Sequence, residues 1–106
     1  MITYEQFSQA ELRVATVLAV ERVEGSDKLL RLRISLREDS RQIIAGIGKK
    51  YAPENLIGKQ IIIVANLEPR MIMGLESQGM LLAADSASGP VLLVPEQETA
   101  PGAKIK

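Results

Sequence analysis

The stretch LLRLRISLRED, residues 29–39, alternates apolar and polar side chains without a break from Leu30 to Arg37. Leu30, Leu32, Ile34 and Leu36 fall on one side and Arg31, Arg33, Ser35 and Arg37 on the other. A helix returns to the same face every ~3.6 residues and would scatter these apolar positions, whereas a strand, with its period of about two, buries them together. One face therefore goes to a core and the other displays three arginines. After the polar turn Glu38-Asp39-Ser40, RQIIAGIG (41–48) reads as a returning strand, so the two form a hairpin. Gly46 and Gly48 in that strand would permit a bulge or a close backbone approach.

The flanking segments supply more strands. LRVATVLAVERVE (12–24) is rich in β-branched and aliphatic residues and reads as a long first strand, with Leu12, Val14, Leu18 and Val20 on one face. It stops at the turn signal Gly25-Ser26-Asp27. KQIIIVANL (59–67) is a nearly continuous apolar run, as in a strand covered on both faces. Beyond Pro69 and Gly74, GMLLAA (79–84) reads as a fifth strand, DSASGP as a loop and VLLVPE as a short last strand. Helical signals are confined to two short pieces. Thr3 and Gln6 fit a capping box for a helix over 3–9, with Tyr4 and Phe7 sharing a face, and KKYAPENLIGK carries Pro53 where a first helical turn begins and Gly58 where it ends.

Five principal strands without strand–helix alternation predict an all-β fold in one domain of 106 residues. The expected form is a five-stranded OB-type barrel with a short N-terminal helix and a C-terminal extension. A half-open five-stranded sandwich fits the same pattern.

Composition narrows the chemistry. Thirteen basic residues balance thirteen acidic ones, so recognition of a polyanion has to come from local patches. Without cysteine or histidine there are no disulfides, no zinc-thiolate site and no histidine base. No nucleophile–base pair, P-loop or dinucleotide fingerprint is visible, and the expectation is a non-enzyme without metal or cofactor. No apolar run approaches the ~20 residues that span a bilayer, which predicts a cytoplasmic protein with no membrane partner. Arg31 and Arg33 lie where OB barrels commonly meet nucleic acids, although a solvated outer face is the plainer reading. Two tyrosines, one phenylalanine and no tryptophan are a poor platform for coating single strands.

The segment NLEPRMIMGLESQGMLLAA (66–84) fits none of these elements well. Its methionines suit irregular core gaps. Asn66 and Ser77, if buried, have to bond to backbone or face a ligand, since an unpaired polar group costs about 1–3 kcal/mol. Together with LRV (12–14), GSDKLLRLRI (25–34) and the glycine of IIAGI (43–47), this segment resembles the tRNA-binding domain. That domain occurs as free-standing dimeric proteins, as an appendix or separate beta chain of methionyl-tRNA synthetase, and as the cytokine-like part of multisynthetase complexes. The likeness runs from about residue 4 to PGAKI.

It implies an OB barrel that recognises the shape of tRNA near the outer corner of the L, through backbone and form. By resemblance, Asn66, Arg70, Ser77 and Met80 belong to the RNA-binding surface, and Arg13 and Lys28 are charged positions near it. Family members commonly carry lysine where this chain has Glu68 and a further basic residue near Met71, which predicts a less positive loop. The implied partners are tRNA, a second copy joined through residues 3–9 and the segment after Gly89, and the catalytic chain of methionyl-tRNA synthetase. A peptide-binding chaperone built on the same barrel is the alternative.

Overall fold

The computed structural model describes all 106 residues. Thr3 caps helix α1 (Tyr4–Ser8) reciprocally with Gln6, as its spacing predicts, and the chain then enters β1 (Leu12–Arg22). β2 (Leu30–Ser35) and β3 (Ser40–Ala45) follow as the expected hairpin. A single 3₁₀ turn at Pro53–Asn55, with proline at its start, leads to β4 (Gln60–Val64). Next come β5 (Arg70–Ile72), β6 (Leu75–Ser77), β7 (Met80–Leu81), β8 (Ala83–Ser86) and β9 (Gly89–Leu92). The main sheet runs β3-β2-β1-β4-β7, every pair antiparallel, while β5–β6 and β8–β9 are separate hairpins.

The alternation of β2 sorts as read: Leu30, Leu32 and Ile34 are wholly buried. They meet Ile43, Ile61, Ile63 and Leu81 in one barrel core. β4 is buried along Ile61–Val64, consistent with its unbroken apolar run.

β1 departs from its expected phase. The core face carries Ala15 and Val17, with Val20 packed against the core, and Leu18 is 49% exposed. Val17 pairs with Ile34 and Ala19 with Arg33, so Leu18 is an extra residue opposite no partner. This β-bulge shifts the inward parity by one and lets the strand bend around the barrel. β1 pairs with β4 over residues 12–16 and with β2 over residues 16–22, so the exchange of partners falls just before the bulge. The edge of β1 that β2 leaves free is taken by the C-terminal segment. Val14 N–H donates to Ala103 C=O at 2.9 Å, Gly102 N–H to Val14 C=O at 2.7 Å and Ile105 N–H to Leu12 C=O at 2.9 Å.

The segment 79–96 is also divided differently from the sequence reading. GMLLAA breaks at Leu82, whose N–H goes to Ile62 C=O and whose C=O receives Leu93 N–H, both at 3.0 Å. DSASGP is the end of one strand, a two-residue turn and the start of the next. Ser86 Oγ donates to Gly89 C=O at 2.6 Å and closes that turn. Four-residue strands paired with each other, β8 exposed along its whole length, leave no apolar period to read.

Candidate nucleic-acid interface

β3 and β7 would leave the barrel open between them, because β7 pairs only with β4. Two side chains of the 66–84 segment fill that gap. Ser77 Oγ accepts Ile44 N–H and donates to Gly79 C=O, both at 3.0 Å. Gln78 Oε1 accepts Gln42 N–H at 3.0 Å, and Gln78 N–H returns a bond to Gln42 C=O at 2.8 Å. Side chains thus stand in for a ladder and satisfy the edge of β3. Ser77, the one buried polar residue, meets its hydrogen-bonding need on backbone and does not face solvent.

Asn66 is committed in the same way. Its Oδ1 accepts Glu11 N–H at 2.8 Å and its Nδ2 donates to Gln9 C=O at 2.7 Å. It fastens the exit of α1 to the end of β4. Arg13 lies at this end too, paired opposite Ile63 on the inward parity of β1. Its Nε is buried without a partner, and its guanidinium meets Glu11 only at 3.9 Å. Asn66 is exposed, Arg13 is only partly so and Ser77 is buried, so the three do not gather on one exposed face.

The exposed face is built differently. Val23, Leu29 and Ile44 form a small second core on the outside of the barrel, and Ile72 and Leu75 pack onto it. That burial seats the β5–β6 hairpin across β3. Gln42, opposite Arg33 in the β2–β3 register, donates through Nε2 to Glu76 C=O at 2.9 Å, so the hairpin abuts the arginine comb. Arg70, the first residue of β5, is exposed and forms no ion pair, and the same holds for Arg33. Arg31 forms an ion pair with Glu21. Lys28, also free of carboxylates, sits in the β1–β2 loop beyond this hairpin.

The methionines do not fill core gaps. Met71, Met73 and Met80 are all at least 44% exposed, and only Leu81 of this group closes the barrel. Met73 and Gly74 turn the hairpin with φ of 49° and 79°, two successive left-handed residues as in a type I′ turn. Asparagine or glycine is the usual choice at the first position, and a methionine there costs about 1–2 kcal/mol. Its methyl group lies over the β1–β2 loop, 3.6 Å from where a side chain on Gly25 would begin.

Gln42 and Gln78 also serve this surface, and the sequence marks them only faintly. The outward parity of β3, counted from buried Ile43, points to Gln42. For Gln78 only its place beside Ser77 in the motif offers a signal.

The family model described as "Putative tRNA binding domain" matches residues 12–104. The methionine–tRNA ligase of Caldanaerobacter subterraneus subsp. tengcongensis is 55% identical over 104 residues, 98% of this chain and 16% of that protein. The chain thus spans about a sixth of the length of this relative. Among solved structures, the MetRS related protein from Pyrococcus horikoshii superposes with a TM-score of 0.94 at 32% identity, covering 100% of this chain and 98% of that one. The chaperone CsaA of Bacillus anthracis str. Ames gives 0.92 at 37% identity, covering 100% and 99%. With a model match over nearly its whole length and a relative identical at more than half of the aligned positions, the chain belongs to the putative tRNA-binding domain family.

Proposed function

We propose that the chain is a non-catalytic module that binds structured tRNA, free-standing or beside the catalytic chain of a methionyl-tRNA synthetase, in the cytoplasm. The observation that carries this reading is the end-to-end likeness to a stretch of methionine–tRNA ligases. The outer face of β2–β3, with the β5–β6 hairpin laid across it, is the surface we assign to RNA. Arg33 and Arg70 are its unpaired cations, and Met80 borders it on β7. Arg31 is held back by Glu21, and Glu68 lowers the field at the entrance to the hairpin. Asn66, Ser77 and Arg13 serve the surface by holding the chain that carries it. A weak module of this kind gains when tethered to a synthetase, because the second contact becomes intramolecular.

Arg70→Ala is expected to weaken tRNA binding and to flatten its salt dependence by about 0.7–0.9 in log K against log salt, the share of one phosphate contact. Glu68→Lys is expected to act in the opposite sense. Titrations of tRNA across a salt series check both, and failure of wild type to bind tRNA at low salt sinks the reading.

We also propose a homodimer. Tyr4, Phe7 and Ile105 flank one groove between α1 and the C-terminus, and Val91, Leu93 and Val94 add apolar surface after Gly89. Sedimentation at micromolar concentration is expected to give twice the chain mass of 11.6 kDa; a monomer alone contradicts it.

A second reading has specific support. The likeness to CsaA and the exposed Met71, Met73 and Met80 suit capture of apolar peptide segments. Competition between tRNA and an unfolded polypeptide for one site separates the two.

A further inference from the structure

At Lys28 the β1–β2 loop borders a cleft of about 520 Å³ whose lining includes Lys49, Lys50 and Ser88 as well and not one carboxylate. We propose that this cleft is a second anion site, which receives a backbone phosphate of the bound RNA and so carries the footprint past Lys28. The proposal rests on the RNA-binding reading and extends it to a surface outside the β2–β3 face.

Three ammonium groups around one cleft stand out in a chain of balanced charge, because each raises the local potential for a multivalent anion. The frame that holds them is rigid. Gly48 N–H donates to Lys28 C=O at 2.6 Å, which pins the lysine loop beside Lys49. A side chain on Gly48 would begin 2.8 Å from that same oxygen, so this approach requires glycine.

Lys50 is placed by three contacts. Its stem passes Gly89, where an added Cβ would stand 3.5 Å from Cδ; its Nζ lies 3.5 Å from Ser88 Oγ and 5.8 Å from the centroid of the Tyr51 ring. Tyr51 is itself tied down, since its hydroxyl accepts Leu92 N–H at 3.1 Å. The ammonium group is therefore held at the cleft and still has protons to donate. Lys49 pairs with Asp27 at 3.4 Å, but both side chains are more than two-thirds exposed, and so open a pair exchanges readily for a phosphate. Ser88 Oγ adds a hydroxyl at the mouth, on a turn closed by Ser86. An isolated surface lysine lacks all of this.

The position of the cleft favours RNA as the source of the phosphate. The β1–β2 loop is common to both sides, since Met73 of the β5–β6 hairpin lies 3.6 Å from where a Gly25 side chain would begin and Lys28 of the same loop lines the cleft, so a sugar–phosphate chain crossing this loop reaches Lys50.

The test is tRNA titration of the full chain over a salt series, comparing wild type, Lys50→Gln, Lys49→Gln and Arg70→Ala. Both lysine positions are exposed, and thermal melting is expected to be unchanged. Lys50→Gln is expected to lower the salt slope by about 0.7–0.9, and its effect on log K to add to that of Arg70→Ala. If Arg70→Ala lowers the slope while neither lysine variant does, the cleft is outside the footprint and the proposal is overturned. If inorganic phosphate shifts the Ser88 and Gly89 amide resonances while the slope stays at the wild-type value, the site serves free anions, which also overturns it. Loss of binding to unfolded polypeptide on Lys50→Gln, with tRNA affinity untouched, overturns it as well. Absence of tRNA binding by wild type is a distinct result, since it removes the functional reading along with the proposal.

Discussion

Gly102→Ala is expected to destabilise the fold by on the order of 3 kcal/mol, the largest loss from removing so little space. Gly102 has φ +83°, in the region that favours glycine, and a Cβ there would stand 2.3 Å from Leu36 C=O. Leu36 is itself buried, just past the end of β2, so its carbonyl has no room to retreat. Relief comes if the C-terminal segment lifts away from β1, which forfeits its three backbone bonds to Leu12 and Val14. At about 0.5–1.5 kcal/mol each, those bonds cap the loss at a similar figure. Denaturant unfolding measures the total, and hydrogen exchange at the Val14 amide reports whether the segment has lifted. Lys104→Ala, in the same segment, is expected to change stability by less than about 0.5 kcal/mol. If Gly102→Ala matches it, the segment is not seated as described.

Ser77→Ala is expected to cost about 2 kcal/mol. Removing Oγ leaves Ile44 N–H and Gly79 C=O without their partner at a buried seam, and an orphaned buried polar group costs about 1–3 kcal/mol. The two orphans sit close together, so the sum falls short of twice that amount. The consequence for RNA is distinctive. A serine that touches phosphate or base takes affinity with it at unchanged stability, whereas one that closes the barrel takes stability and moves the hairpin that carries Arg70. The expected signature is a lower unfolding midpoint, faster exchange at Ile44 and an unaltered salt slope, since no phosphate contact has gone. An unchanged midpoint with weakened tRNA binding gives the direct role back to Ser77. Gln78→Ala, losing the neighbouring bond to Gln42, is expected to act in the same direction and less strongly, because that seam is only partly buried.

These two residues also show how far local pattern reaches. The strand character of 30–36, the capping box at Thr3 and Gln6, and the doubly covered run of β4 were all legible. Each depends on residues a few positions apart, and burial follows directly from the period. The phase of β1 beyond Val17 was not legible, because Leu18 looks like any other inward aliphatic residue until Ile34 and Arg33 take up partners around it. The exposed methionines misled for a related reason: composition assigns them to a core, but β5–β6 buries Ile72 and Leu75 and turns Met71 outward.

For the candidate surface the division is sharper. Sequence by itself determined that the chain is a small β barrel with an arginine-bearing outer strand, and the motif from Asn66 to Ala84 was specific enough to point to a tRNA-binding family. Both depend on residue identity at short spacing. Tertiary structure alone decided which motif residues face outward. Asn66 and Ser77 find their partners 55 and 33 residues away, in Glu11 and Ile44, and hold the frame, Asn66 from an exposed position and Ser77 from a buried one. Arg31 pairs with Glu21 on the neighbouring strand, Arg33 lies opposite Gln42, which bonds to the hairpin that carries Arg70, and Lys50 joins Lys28 at one cleft. A hydrogen bond or an ion pair depends on distance in space, and folding sets that distance between segments whose spacing along the chain carries no sign of it.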